Sequence, residues 1–184
     1  MTNFEIENEL RPNLSSDEKL IWTGKPKTGI LFRSSDALLI PFSLLWAGFA
    51  VFWETSVLAT GAPFPFALFG IPFVLVGLYI TVGRFFVDAK KRANTIYGIT
   101  PDRIIIKTGI FSSEIKSLNI RTLSDITINQ KADNSGTITL GPTDFRYSMM
   151  QGVEWPGNKQ PPRLELIEGV KSVYDKIIDL QRKK

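Results

Sequence analysis

The stretches ALLIPFSLLWAGFAVFW at residues 37–53 and FPFALFGIPFVLVGLYITVG at residues 64–83 decide how this chain is organised. Between Ala37 and Gly83 the only charged residue is Glu54, whereas the rest of the chain carries an ordinary density of charge. A helix needs about 20 mainly apolar residues to cross a bilayer, and the lower limit is about 17. With Asp36 and Glu54 at the interfaces, both runs satisfy this requirement. They predict two transmembrane spans, at about residues 37–56 and 64–86.

The alternative is a pair of buried helices in a soluble protein. Both helices would then have to be apolar on every face, which a small domain has little room to bury. A signal peptide is not expected either, because the first apolar run begins near residue 37 and no small-residue cleavage site follows it. The transmembrane interpretation is therefore favoured.

The segment between the spans predicts a tight reversal, because Gly61, Pro63 and Pro65 stop helix continuation. Residues 37–87 should therefore form a helical hairpin. This connecting segment contains no Lys or Arg, whereas basic residues flank both spans on the other side: Lys25, Lys27, Arg33, Arg84, Lys90, Lys91 and Arg92. The positive-inside rule then predicts a multi-pass protein of the inner (cytoplasmic) membrane with both termini in the cytoplasm.

Composition restricts the chemistry of the chain. It has no cysteine and no histidine, which excludes disulfides, thiolate nucleophiles and zinc–thiolate sites and removes the commonest general base and metal ligand. No cofactor and no metal are expected. From Arg84 onward the sequence has 17 basic and 11 acidic residues, and this positive surplus suits contact with anionic lipid. Nucleic acid is not expected as a partner, because the aromatic-rich motifs of RNA-binding proteins are missing.

Residues 94–184 have the texture of a small β-rich domain, and residues 1–36 precede the hairpin as a cytoplasmic N-terminal segment. Short β-prone runs are separated by turn residues and alternate between apolar and polar positions, which predicts strands with one buried face. These runs lie at residues 95–100, 103–107 and 115–120 and around Ile126, Ile138 and Leu164. Residues 133–136, Asp-Asn-Ser-Gly, predict a hairpin turn between two of the strands.

The last segment changes period. Apolar residues at positions 170, 173, 174, 177 and 178 have the spacing of an amphipathic helix, and Arg182 and the following lysines suit its C-terminal end. Before it, residues 142–162 carry no period and contain several Gly and Pro residues, which predicts a long loop. Its aromatic and methionine side chains would either contact a lipid or partner or pack on the sheet, and the second interpretation is favoured: Phe145, Tyr147, Met149, Met150 and Trp155.

Several segments resemble the bacterial PH-domain (DUF304-like) membrane protein family. Residues 18–26, EKLIWTGKP, resemble the family's opening E-x-hydrophobic-hydrophobic-W-x-G-x-P. Residues 97–103, YGITPDR, are similar to its Y-x-[IV]-T-x-x-R strand and turn. Residues 32–36, 41–46 and 52–54 look like its entry into the first span, and residues 123–126 and 136–141 resemble its later strands. The resemblance covers most of residues 18–141.

The resemblance implies a PH-like fold: a bent antiparallel sheet or partly open barrel of about six or seven strands, capped by a C-terminal helix. The expected architecture is therefore a two-helix transmembrane hairpin followed by an α+β PH-like domain. The resemblance implies no catalytic chemistry. The long 142–162 loop departs from the simplest members.

These observations favour a non-enzymatic, membrane-anchored module that contacts a protein partner, copies of itself or anionic lipid. The candidate headgroup contacts follow the second span: Arg84, Lys90, Lys91 and Arg92. The simpler alternative is that these charges only determine the membrane topology of the hairpin. Lys107, Lys116, Arg121 and Lys131 are dispersed and predict a solvated face.

Two other functions stay open. The chain could be a small accessory subunit of an envelope or transport complex, which the sequence does not distinguish from the first hypothesis. An enzyme is the least favoured, because phosphate loops, nucleophile elbows and metal-ligand spacings are missing. The carboxylates worth examining for catalysis are Asp102, Asp125 and Asp144, of which Asp102 is better explained by turn chemistry.

Overall fold

The computed structural model of the chain describes residues 2–33, 35–142 and 161–183. It divides into two compact units. Among the described residues, the hairpin unit runs from Ile30 to Ala89, and the β-rich unit combines those up to Gly29 with those from Lys90 onward. The predictions for the 142–162 loop, including Asp144 and the five aromatic and methionine residues, fall almost entirely outside the described residues.

In the described part of the chain, the β-rich unit contains two antiparallel sheets. The four-stranded sheet has the order β1-β2-β3-β4 and the three-stranded sheet the order β5-β6-β7. The strands are β1 (Trp22–Gly24), β2 (Ile96–Ile99), β3 (Arg103–Thr108), β4 (Glu114–Asn119), β5 (Ile126–Gln130), β6 (Gly136–Leu140) and β7 (Arg163–Ile167). All six strands predicted from the period-two pattern are present, and the turn predicted at residues 133–136 joins β5 to β6.

The main core lies between the two sheets and the C-terminal helix α5 (Val170–Arg182). Helix α5 buries Val170, Val173 and Ile177 against strand residues such as Ile104 and Ile138, as its spacing predicts. Burial of each such side chain stabilises the fold by roughly 1.5–3 kcal/mol relative to exposure. The α5 face therefore closes the space between the sheets.

Strands β2 and β3 are buried on both faces, so the expectation of one buried face was wrong for them. Ile104 and Ile106 point into the main core, whereas Ile105 packs against Ile6 and Leu10 of the N-terminal helix α1 (Asn3–Leu10). All three isoleucines of β3 are at most 6% exposed. Helix α1 provides the second apolar cover, which explains the uninterrupted Ile-Ile-Ile run.

The N-terminal segment up to Gly29 belongs to the β-rich unit, although the sequence analysis treats residues 1–36 as a separate segment. Strand β1 pairs with β2, with Trp22 opposite Ile99 and Gly24 opposite Tyr97. Both hairpin helices lie between β1 and β2 in the chain. The hairpin is thus an insertion in the first β-connection of the domain rather than an anchor that precedes it.

The hairpin unit contains two long apolar helical segments. Helix α2 spans Asp36–Ala59. The second segment, Phe64–Ala93, consists of α3 (Phe64–Leu78), a π-helical turn (Tyr79–Gly83) and α4 (Arg84–Ala93). Both are long and apolar enough to cross a membrane, and only 17% and 11% of their most apolar stretches are buried. By length and composition these are candidate spans.

Glycines let the two helices approach closely at two positions. A Cβ on Gly77 would lie 3.0 Å from the Cα of Ala47, and a Cβ on Gly70 would overlap the Glu54 and Trp53 side chains. Gly48, in contrast, has nothing within 4 Å of its Cβ position. It therefore plays no part in this approach.

Glu54 is the charged residue within the apolar stretch of the hairpin, and the sequence analysis places it at an interface. In the structure α2 continues beyond it to Ala59, and one of its carboxylate oxygens, Oε2, is buried with no hydrogen-bond partner among the described residues. Because Gly70 has no side chain, the facing helix leaves room for this carboxylate.

Candidate functional site

The four basic residues predicted as headgroup contacts have different environments. In the hairpin unit, Arg84 Nη1 lies 2.7 Å from Asp36 Oδ1, and the Asp36 side chain is only 7% exposed. A second pair joins Arg33 Nη2 to Asp88 Oδ1 at 3.0 Å. A partly buried carboxylate needs a charge partner. Arg84 is therefore the counter-ion of Asp36 at the start of α2, which the charge count of the sequence did not reveal.

Arg92 is a structural residue of the β-rich unit. It is 3% exposed, and its guanidinium donates to the carbonyl oxygens of Lys27 at 2.8 Å and Gly29 at 2.7 Å. These bonds hold the segment after β1 against the end of α4. Lys90 is exposed and Lys91 half-buried. Of the three basic residues in the last turn of α4, Lys90 is thus the most exposed.

The prediction of a solvated face fits Lys116 and Arg121, whose side chains are 45% and 63% exposed, but not Lys107, whose side chain is only 20% exposed. Lys107 lies 2.9 Å from Glu9, Lys116 lies 3.4 Å from Glu114, and Arg121 lies 3.0 Å from Asp102. Each of these cations has its own acidic neighbour. The two exposed pairs contribute little stability, and the three pairs do not converge on one binding pocket.

Arg92 and Lys90 provide a matched pair of substitutions. Arg92→Gln should lower the free energy of unfolding of the β-rich unit by about 2 kcal/mol, because two charge-assisted hydrogen bonds from a buried guanidinium to backbone carbonyls are lost. Lys90→Gln should change it by less than about 0.5 kcal/mol. Hydrogen exchange of residues 25–29, measured on the full-length chain in mild detergent, reports both effects. Equal effects of the two substitutions would contradict this role for Arg92.

The two motifs that carry the family resemblance meet in one cluster, which we call the Glu18–Arg103 latch. Arg103 donates from Nε to Glu18 Oε1 at 2.8 Å and from Nη2 to Glu18 Oε2 at 2.6 Å. The Thr100 hydroxyl donates to the same carboxylate at 2.8 Å and accepts from the Arg103 backbone N–H. The Arg103 hydrogen bonds are the main reason why the pKa of Glu18 falls to about 2. The motifs thus join the N-terminal segment to the turn between β2 and β3.

The remaining motif residues are also structural. The Tyr97 hydroxyl accepts a hydrogen bond from the backbone N–H of Glu165 at 3.0 Å and so links the two sheets. Burial raises the pKa of Tyr97 well above its usual value. Trp22 packs against the main core, and a Cβ on Gly24 would overlap its ring, so glycine is required there. Sequence analysis quoted these residues without assigning them roles.

A cavity of about 550 Å³ in the β-rich unit is lined by the segment that follows β1. Trp22, Lys25 and Ile167 are among its lining residues. Near it, Lys27 Nζ lies 2.6 Å from Asp133 Oδ2, and this hydrogen bond holds the pKa of Asp133 well below its usual range. Lys27 is paired with Asp133, and the acidic Glu168 also lines the cavity. The described lining residues therefore do not form a cluster of unpaired cations that would bind an anionic headgroup.

The carboxylates examined for catalysis have simple local contacts. Asp102 accepts from Arg121 in the exposed turn between β2 and β3, and Asp125 accepts from the Ser124 hydroxyl at 3.4 Å. Asp144 lies outside the described residues. Within residues 2–33, 35–142 and 161–183, no group of three or more His, Cys, Asp or Glu side chains has a metal-binding arrangement.

Comparison with known families agrees with this geometry. A family model described as "Bacterial PH domain" matches residues 37–168. The chain belongs to this bacterial PH domain family. The β-rich unit, with its two antiparallel sheets and C-terminal helix, is accordingly a PH-like domain, which confirms the predicted resemblance and that part of the fold. The match begins after β1, in the first hairpin helix.

One solved structure is similar over most of its length. It is a DUF1696 family protein with a pleckstrin-homology domain from Shewanella loihica PV-4, with 10% sequence identity, 98% coverage of each chain and a TM-score of 0.42. No curated protein matches the chain.

Proposed function

We propose that this chain is a non-enzymatic, membrane-anchored PH-like module of the cytoplasmic membrane. The hairpin crosses the bilayer, and the PH-like domain and both termini lie on the cytoplasmic side. There the domain contacts a protein partner, a second copy of itself or anionic lipid. This assignment includes no catalytic residue, cofactor or metal.

The observation that carries the proposal is the apolar surface of the hairpin unit. Leu38, Leu45, Phe52 and Phe64 are each between 68% and 74% exposed. Soluble monomeric proteins rarely leave apolar patches of more than a few hundred Å² in contact with water. A hydrocarbon solvent removes this cost, because helices satisfy their own backbone hydrogen bonds. A lipid environment therefore suits these side chains better than water does.

Charge at the two ends of the hairpin supports the proposed orientation. The Asp36–Arg84 and Arg33–Asp88 pairs lie at one end, and the turn around Gly61 contains no Lys or Arg. Ion pairing lowers the cost of placing these charges near lipid. The basic residues Arg33 and Arg84 then favour the cytoplasmic side for that end.

Membrane topology provides the direct test, because the natural chain contains no cysteine. A single cysteine introduced as Thr60→Cys should react with a membrane-impermeant maleimide added to intact spheroplasts. Ser15→Cys should react only after the cells are lysed. Reaction of both sites in intact cells, or recovery of the folded chain from the supernatant of a detergent-free lysate, would overturn the proposal.

A specific surface favours a second candidate, an accessory subunit of a membrane complex. An aromatic cleft of about 310 Å³ lies on the hairpin unit, lined by Trp46, Phe49, Ala50, Trp53, Phe69 and Phe73. A helix of another membrane protein would fill such a cleft with better packing than mobile lipid chains. Purification in mild detergent with a stoichiometric protein that is lost in Ala50→Trp would support this candidate. Retention of that protein in Ala50→Trp would contradict it.

A further inference from the structure

The loop between β3 and β4 ends in a fully exposed aromatic side chain. Phe111 has a relative exposure of 102%, and Ile115, at the start of β4, is 44% exposed. Most of β4 is exposed as well, so the end of the β3–β4 ribbon projects from the core. An apolar side chain at the tip of a projecting ribbon does not stabilise the folded domain. Its exposure calls for another explanation.

Strand connectivity places this loop at the end of the sheet where the chain connects to the hairpin. Gly24, the last residue of β1, pairs with Tyr97 near the start of β2. In the neighbouring ladder, Ile96 pairs with Lys107 and Thr108 pairs with Glu114. The end of β1, the start of β2 and the β3–β4 loop therefore lie at one end of the sheet. Both connections to the hairpin leave from this end.

Hydrogen bonds fix the base of the loop to the last turn of the second long helix. The hydroxyls of Thr95 and Thr108 lie 2.7 Å apart, and the Thr95 hydroxyl also bonds the Lys91 carbonyl at 2.8 Å. Ala93 and Phe111 line the same cavity, whose volume is about 410 Å³. The loop thus has a fixed position beside the point at which the helix becomes β2.

The two segments that connect this end of the domain to the hairpin are short. Two residues, Asn94 and Thr95, separate α4 from β2. On the other side, residues 25–29 separate β1 from the hairpin unit, and even fully extended they span only about 17 Å. The β2–β3 turn lies at the opposite end of the sheet. The β3–β4 loop therefore lies at the end of the sheet from which both connections to the hairpin leave, and that turn does not.

We propose that the β3–β4 loop is a second membrane contact, in which Phe111 enters the boundary between headgroups and acyl chains. This inference rests on the proposed function, because it requires the hairpin to lie in the bilayer. Aromatic and aliphatic side chains bind at that boundary by burying apolar area, and nearby cations add attraction to anionic lipid. Lys90, an exposed residue in the last turn of α4, is a candidate for such a cation. The domain is then held against the membrane by the hairpin and by the loop.

Single-cysteine labelling tests the contact in the full-length chain. The environment-sensitive fluorophore NBD is attached to Ser112→Cys, next to an intact Phe111, and the chain is reconstituted in vesicles of phosphatidylglycerol and phosphatidylethanolamine. We expect a blue-shifted emission that is quenched by nitroxide-bearing lipids. In the double variant Phe111→Asp with Ser112→Cys, both the shift and the quenching should be lost.

Two matched positions separate failure of this inference from failure of the proposed function. Label at Asp102→Cys, in the exposed β2–β3 turn, should remain unquenched, and label at Leu68→Cys in the hairpin should be quenched. Quenching at residue 68 without quenching at residue 112 would overturn the loop contact alone. No quenching at residue 68 would overturn the proposed function and this inference with it. Protection at residue 112 in native membranes but not in vesicles would assign the loop to a protein partner and overturn the lipid contact.

Discussion

Replacing Glu18 with glutamine is expected to lower the free energy of unfolding of the PH-like domain by about 3 kcal/mol. The carboxylate side chain is 11% exposed and accepts two hydrogen bonds from Arg103 and one from Thr100. Glutamine keeps the shape but leaves the Arg103 charge without its partner. Breaking a buried pair costs about 3–5 kcal/mol, and the partial exposure of Arg103 places this variant at the lower end.

The pH dependence of stability identifies the charge as the cause. The pKa of Glu18 is lowered from 4.5 to about 2, mainly by the hydrogen bonds from Arg103. Since the folded-state pKa lies below the unfolded value, the stabilisation is complete above about pH 4.5 and is lost as the pH falls towards 2. The difference in stability between the natural chain and Glu18→Gln should therefore shrink across this interval.

An exposed ion pair of the same strand pair serves as the control. Asp102 and Arg121 are 66% and 63% exposed, so Asp102→Asn should change stability by less than about 0.5 kcal/mol. Amide hydrogen exchange in β2 and β3 of the full-length chain in detergent measures both variants. A Glu18→Gln effect as small as that of Asp102→Asn, or one that does not change with pH, would refute the latch.

The strands and helix whose burial follows a local period were predictable from the sequence. The alternation around Ile126 and Ile138 and the spacing of Val170, Val173 and Ile177 each reflect one buried face, and each gave the correct element. Strand β1 gave no such signal, because three residues are too few to show a period. Its partner β2 also follows the whole hairpin in the chain, so no local pattern connects them.

The second limit on prediction from the sequence was burial by an element that is distant in the chain. The Ile-Ile-Ile run of β3 indicates a strand covered on both sides, but the cover comes from Ile6 and Leu10, which lie almost 100 residues earlier. Likewise, Glu18 and Arg103 are 85 positions apart. Both residues belong to motifs that carry the family resemblance, but only the fold reveals that their side chains are hydrogen-bonded to each other. Pattern analysis within a window does not contain this information.

The prediction of the candidate site from the sequence was limited because a sequence does not show which charged residues pair with each other. Sequence analysis counted Arg84 and Arg92 as cations at a membrane surface. In the structure, Arg84 forms an ion pair with Asp36 at the start of α2, and Arg92 donates hydrogen bonds to two backbone carbonyls. An arginine that is already paired within the fold has less to offer a headgroup than a free cation has. The sequence analysis did not identify Phe111 as a contact residue, because its exposure is evident only once the core is known.

Replacing Gly77 with leucine is expected to destabilise the packed hairpin by about 3 kcal/mol. A Cβ at this position would lie 3.0 Å from the Cα and 3.1 Å from the Cβ of Ala47, and backbone atoms of a helix do not move aside as a flexible side chain does. The helices would have to separate, which loses the close packing that holds helices together in lipid. Cross-linking measures this separation. The hydroxyl of Thr81 lies 3.3 Å from the Ser43 carbonyl, so cysteines introduced at these two positions report helix contact without any background thiol.

Gly48→Leu provides the matched control for this prediction. It adds the same side chain to the same hairpin, but nothing lies within 4 Å of its Cβ position. Cross-linking should therefore persist in Gly48→Leu and fall in Gly77→Leu. Added apolar bulk and altered insertion are common to both variants, so a difference between them reports helix contact alone. If both variants cross-link as the parent does, the helices do not pack through Gly77, and the hairpin has a different interface in the membrane.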